Sequence, residues 1–184
     1  MTEANFRKLT YYVISMAVIF EAGHLLWEHL NGGIVSHHLL HSPDYPAISN
    51  WWGLFILPFL AWLAMARIKK RVNFQPSDSS VSRKVLNRAL MGFLGMLMLS
   101  FLQSVSFTIG YGNIAIYLSL GLLLVGLFLP IYRAECIFGY VLGSILFTGA
   151  IIPFIGVLVT ALISLLTALC IKPFILRLLR PQPQ

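Results

Sequence analysis

All five histidines of this chain fall between His24 and His41, and three of its six acidic residues, Glu21, Glu28 and Asp44, lie in or beside that window. The stretch from Glu21 to Asn50 reads EAGHLLWEHLNGGIVSHHLLHSPDYPAISN. Imidazoles and carboxylates together bind transition metals and exchange protons near neutral pH. Such a donor set suits zinc, iron, manganese or copper(II) better than calcium or magnesium. Glu21, His24 and Glu28 stand at i, i+3 and i+7, so on a helix they fall within roughly 60° of one another on one face. His29 lies to one side of that stripe.

The loop that follows carries a second group. Ser36-His37-His38-Leu39-Leu40-His41 reads as one helical turn with Ser36 as its N-cap. That turn would put His37 and His41 on one face at i, i+4, and His38 and His41 together at i, i+3. Gly32 and Gly33 permit the chain to fold back after the first helix, and Pro43 and Pro46 stiffen its return. His24, His29, His37, His38 and His41 are therefore the candidate ligands of a divalent transition metal, zinc first, with iron or copper as alternatives. Glu28 and Glu21 are the candidate catalytic groups, as general bases toward a metal-activated water. The Glu-x-x-His element of di-iron bundles occurs once, as Glu21 to His24, whereas those bundles need two. The His-Glu-x-x-His pattern of zinc proteases is absent.

What positions these residues is a set of apolar helices. The 184 residues are 58% apolar and 10% charged, against about 25% charged in a soluble domain. An aqueous fold of this size buries only about 70% of its unfolded surface, so lipid is the expected solvent. Apolar stretches cover about 9–30, 51–68, 89–109 and 114–131. A further run, 136–171, is too long for one crossing of about 30 Å of hydrocarbon. Gly149, Pro153 and Gly156 punctuate it, which predicts a hairpin and two helices over 136–150 and 153–171. The fold expected is an all-α integral membrane bundle of about six transmembrane helices, one polytopic domain over 1–184.

Charge sets the expected orientation. All 13 Lys and Arg residues fall on one side of that arrangement: Arg7 and Lys8, the group from Arg67 to Arg88, Arg133, and Lys172, Arg177 and Arg180. The positive-inside rule makes this the cytoplasmic side, with both termini there. The formal charge of +7 is thus explained by position, and nucleic acid is not an expected partner. Trp51 and Trp52 open the second helix at the outer boundary, where indoles prefer the headgroups. The first helix is too long for a signal peptide and lacks a small-residue cleavage site. The expected location is a bacterial inner membrane, with the histidine-rich loop on the periplasmic side. Cys136 and Cys170 fall near cytoplasmic helix ends, where a reducing compartment disfavours a disulfide.

Glu21 then lies about nine residues from the outer helix end, about 14 Å deep at 1.5 Å per residue. An ionised carboxylate at that depth costs several kcal/mol unless it is paired, protonated or bound to a cation. Nothing basic is available on that side of the chain. Asp44, Gln103 and Tyr111 are expected on the same side, as partners that orient the imidazoles. Met91, Met96 and Met98 fall in the inner half of the third helix and read as packing. Arg133 and Glu135 read as a surface charge pair. The function expected is a membrane metalloenzyme of hydrolase type. Its substrate would be lipid-like or amphiphilic, because no sizeable aqueous domain exists to receive a soluble one. The alternatives are a metal-ion or proton-coupled transporter and a redox protein holding a non-covalent haem through two histidines.

Overall fold

The structure is a computed structural model that describes residues 2–38, 44–72, 74, 79–171 and 173. Within them the chain order is α1 (Glu3–Leu30), β1 (Ser36–His38), β2 (Ala47–Ser49), α2 (Gly53–Lys69), α3 (Ser79–Thr108), α4 (Gly112–Phe128), α5 (Ala134–Thr148) and α6 (Ile151–Leu166). A 3₁₀ turn over Asn50–Trp52 leads into α2, and a π-helical turn over Thr167–Ile171 continues α6.

The element boundaries have local causes. Thr2 caps α1 by accepting the Asn5 N–H at 3.3 Å. Gly32 and Gly33, at φ +123° and +106°, turn the chain back after α1, a backbone region that L side chains rarely adopt. The long apolar run breaks where expected, at Gly149 with φ +67°. Pro153 sits in the first turn of α6, where a proline costs no internal hydrogen bond. Each expected apolar stretch is a helix. The main displacement is α3, which begins ten residues before 89, because the segment SSVSRKVLNR is polar yet helical.

Among the described residues, four helical segments are long and apolar enough to cross a membrane: Glu3–Leu30, Asn50–Lys69, Val81–Thr108 and Ile151–Ile171. The other two, α4 and α5, have 17 and 15 residues. At 1.5 Å per residue α5 measures only about 22 Å. It is also the central helix, with nearly every residue from Ala134 to Ile145 buried. Protein surrounds it, so it need not match the thickness of a lipid core.

Consecutive helices reverse direction. Glu21 of α1 meets Gly53 at the start of α2, and Glu3 meets Lys69 at its end. In α5, the end at Gly149 lies by Asn50, and the start at Glu135 lies by Arg71. α3 and α5 run parallel and very close. A Cβ on Gly139 or Gly143 would overlap the carbonyl oxygen of Phe93 or Leu97, one turn apart in each helix. Gly139-x-x-x-Gly143 thus brings two backbones together as small residues do between membrane helices. Polar stitches finish the bundle. Gln103 donates to Ser119 Oγ at 2.7 Å and accepts from the Tyr140 hydroxyl at 2.8 Å, joining α3, α4 and α5. Ser164 of α6 donates to the Leu129 carbonyl at 2.8 Å, just past α4.

Two local expectations are corrected. The segment opening at Ser36 forms a strand, with no helical turn capped by Ser36. β1 pairs antiparallel with β2 in the register Ser36↔Ser49, His37↔Ile48 and His38↔Ala47. Pro46, just before β2, disfavours helix in the residue that precedes it, and pairing across the hairpin overrides a short stretch's own preference. Glu135, expected as a surface partner of Arg133, is 2% exposed. It accepts from the Arg71 guanidinium at 2.7 Å. Met96 is buried while Met91 and Met98 face outward. Cys136 and Cys170 are both free thiols.

Candidate functional site

The stripe read from spacing on α1 is real. Glu21, His24 and Glu28 are 0%, 7% and 5% exposed, the only acidic or histidine side chains among the described residues buried in this half of the bundle. The two ring nitrogens of His24 each face a carboxylate: Nδ1 lies 3.5 Å from Glu21 Oε2, and Nε2 lies 3.4 Å from Glu28 Oε1. Both separations exceed the 2.7–3.2 Å of an N–H···O hydrogen bond.

Glu28 is anchored by the loop that it organises. The Asn50 side-chain amide donates to Oε1 at 2.6 Å, and the Val35 N–H donates to Oε2 at 3.2 Å. The Glu28 carbonyl also accepts the Gly33 N–H at 3.0 Å. The turn at Gly32 and Gly33 thus brings β1 back over the end of α1, as the two glycines suggested. The hairpin then returns the chain to Asn50, whose N–H bonds the Val35 carbonyl at 3.0 Å.

Glu21 is held by shape alone. A Cβ on Gly53 would overlap its carboxylate, so the side chain occupies the space that a larger residue at the mouth of α2 would fill. The positive end of the α2 dipole lies there and favours an anion. Even so, neither oxygen of Glu21 has a hydrogen-bond partner, and nor does His24 Nδ1. No Lys or Arg among the described residues pairs with Glu21. Buried polar atoms are satisfied in the great majority of native structures. A proton, a metal ion or ordered water is what such a group requires.

A third element closes over the site. Gly149, in the turn between α5 and α6, lies against Asn50, since a Cβ there would overlap the Asn50 side-chain oxygen. The same point is 3.4 Å from His37 Cδ2. His37 is therefore the loop imidazole that the fold turns inward, half-buried beside Asn50. His38, next along the strand, faces the opposite way, as alternation demands. It is exposed, with Nδ1 2.7 Å from the Tyr45 carbonyl oxygen. His29 and Asp44 are exposed as well. His41 lies outside the described residues. Tyr111 is 61% exposed at the head of α4, and Gln103 is engaged with Ser119 and Tyr140.

Of the residues named from sequence, the structure brings together Glu21, His24 and Glu28, with His37 nearby. Reading the sequence missed Asn50, Gly53 and Gly149. A signal for the first existed, because Asn50 is the polar residue set between an extended run and the apolar α2. The other two depend on tertiary approach.

The fit to a metal is partial. Among the described residues, no group of three or more His, Cys, Asp or Glu side chains is arranged to hold a metal ion. Two ligands at 2.0–2.1 Å from a tetrahedral zinc lie about 3.3–3.4 Å apart, and the His24 Nε2 to Glu28 Oε1 separation is 3.4 Å. An ordinary imidazole–carboxylate ion pair leaves the same gap, and the Glu21 carboxylate stands 3.5 Å from the other ring nitrogen, the side on which a metal-bound histidine has its outer partner. No protein-family model, curated protein or solved structure matches the chain.

Proposed function

We propose that the chain is an integral membrane protein whose Glu21, His24 and Glu28 form a cation site, holding a divalent transition metal, zinc first, for hydrolysis of a lipid-like substrate. The observation that carries this is the Glu21 carboxylate, fully buried with neither oxygen hydrogen-bonded. If ionised, its charge needs a counter-charge that no Lys or Arg among the described residues supplies. His24 Nε2 and His37 are the proposed ligands. Glu21 orients His24 through Nδ1. Glu28, fixed by Asn50 and Val35, is the general base. A metal bound there would supply an activated water. The side chains determine where that water is held and which carboxylate takes its proton.

The membrane arrangement belongs to the same proposal. Six alternating helices cross the bilayer, the basic end lies in the cytoplasm, and the site opens toward the periplasmic side of a bacterial inner membrane. The alternation of helix directions and the collection of Lys and Arg at one end support it. Cysteines placed at Asp44 and Lys70, with Cys170→Ser, should label from opposite sides with an impermeant thiol reagent. Labelling of both from one side would refute the arrangement.

One observation favours a second function. His24 links two carboxylates through its two ring nitrogens, an order of groups that also suits a proton relay in a transporter. Metal analysis with an absorption spectrum separates the two. Protein purified through a tag without histidine should carry near-stoichiometric metal and no Soret band. Metal-free protein with full activity would sink the metal site and leave the relay. A Soret band would replace both with haem.

A further inference from the structure

At the opposite end of the α1–α2 pair lies a cleft of about 240 Å³ that shares no residue with the Glu21 site. Arg7, Thr10 and Ile14 of α1 line one wall, and Lys69, Ala66 and Trp62 of α2 line the other. Each set spans positions i to i+7, two turns of one helix face, about 10 Å of rise. Because the helices are antiparallel, Arg7 stands across from Lys69 and Ile14 across from Trp62. The cleft is therefore cationic at its outer mouth and apolar at its inner end, with small Ala66 opening the space between. That gradient runs along the helix axes, in the sense in which a phospholipid lies beside a membrane helix.

The charge is also matched. Lys69 is bonded to Glu3 at 2.6 Å, with both side chains at least half exposed. Arg7 and Lys69 against Glu3 leave one net positive charge, the complement of one phosphodiester. We propose that this cleft seats one monoanionic phospholipid, its phosphate between Arg7 and Lys69 and an acyl chain along Ile14 and Trp62. Basic pockets between membrane helices on the cytoplasmic side bind anionic headgroups in this manner. A choline headgroup would set its own cation against the same two side chains. The proposal requires membrane insertion, and it is independent of what the Glu21 site does.

Native mass spectrometry of the full chain in detergent, titrated with phosphatidylglycerol or phosphatidylcholine, tests it. One phosphatidylglycerol should be retained at least tenfold more tightly than phosphatidylcholine. The double variant Arg7→Gln, Lys69→Gln should lose that preference, and Ala66→Leu should weaken both lipids by filling the floor with the charges intact. Equal retention of the two lipids by the unaltered protein would overturn the proposal. Undiminished phosphatidylglycerol binding in Ala66→Leu would do the same, even where the double variant fails to fold. Displacement of the lipid by millimolar inorganic phosphate would make this a free-anion site and overturn the lipid assignment.

Discussion

The two ends of the bundle each bury a glutamate, and they treat it differently. Glu135, 2% exposed, meets Arg71 at 2.7 Å. Glu21, 0% exposed, meets an imidazole at 3.5 Å and no hydrogen-bond donor. Burying a carboxylate is costly in either place. At the basic end the chain supplies the counter-charge, so Glu135 fastens the loop after α2 to the start of α5. At the other end the described residues place histidines and no Lys or Arg beside Glu21. A permanent partner makes a structural joint. A buried carboxylate without one, beside Gly53 and the start of α2, is what the proposed function puts to use.

The largest effect expected is on the working end. His24→Ala should abolish metal retention and activity, because it removes the group that links both carboxylates. Glu28→Gln keeps the size of the side chain and one of its two accepted bonds, since the amide oxygen can serve Asn50 or Val35 and not both; it should retain metal and lower turnover by orders of magnitude if Glu28 is the base. Loss of metal as well would reassign Glu28 as a ligand. Trp27→Ala, on the 64% exposed side of the same helix, serves as the control and should change neither. Retention of both metal and turnover in His24→Ala would make the cluster structural.

Next comes a matched pair of changes at the two buried carboxylates. Glu135→Gln leaves Arg71 without its counter-charge and should destabilise by about 3 kcal/mol, the lower end for a broken buried pair, because Arg71 is 30% exposed. Glu21→Gln removes a buried charge that has no hydrogen bond to lose, so in metal-free protein the melting temperature should hold or rise while function disappears. Thermal unfolding in detergent reads both. A fall in stability of similar size for the two variants would erase the distinction between joint and site.

The glycines sharpen the comparison at a smaller scale. Gly139→Ala drives a methyl into the Phe93 carbonyl, a backbone atom that moves only if α3 and α5 separate. About 2 kcal/mol of destabilisation is expected. Gly53→Ala meets only the end of the Glu21 side chain, which can rotate away. Stability should change little while the site loses its geometry, read as reduced metal content at unchanged melting temperature. Equal destabilisation by both variants would show that Glu21 is packed as rigidly as a helix backbone.

These contrasts also explain what the sequence could disclose. Helix number and approximate position were legible because each apolar run is long and local, and because Gly149 marks the break in the last one. The Glu21, His24 and Glu28 face was legible because helical periodicity is strict over two turns. Ser36 to His38 misled because the segment is short, and its conformation is decided by pairing with Ala47–Ser49. Glu135 was matched with Arg133, its neighbour in sequence, whereas its partner Arg71 lies 64 residues away. Asn50 and Gly149 join the site only when three loops meet at one end of the bundle, which no local pattern encodes. The spacing Gly139-x-x-x-Gly143 went unread in the sequence, and the structure shows that it faces the backbone of α3.

The smallest effect expected is at the turn that brings the loop to the site. Gly33 stands at φ +106° with open space around the position of a Cβ, so a side chain there meets no neighbour and strains only the backbone. Gly33→Val should cost about 1–3 kcal/mol locally, since a β-branched residue tolerates positive φ poorly. The strain falls on the segment whose Gly33 and Val35 N–H groups bind Glu28. Loosening it frees Glu28 and lets His37 and Asn50 drift from the end of α1, while the apolar helices that carry insertion are untouched. Membrane insertion should therefore be complete, with metal retention reduced roughly tenfold, equivalent to about 1.4 kcal/mol. If Gly33→Val holds its metal as firmly as the unaltered chain, the hairpin contributes nothing to the site, and α1 with the mouth of α2 must bind the cation alone.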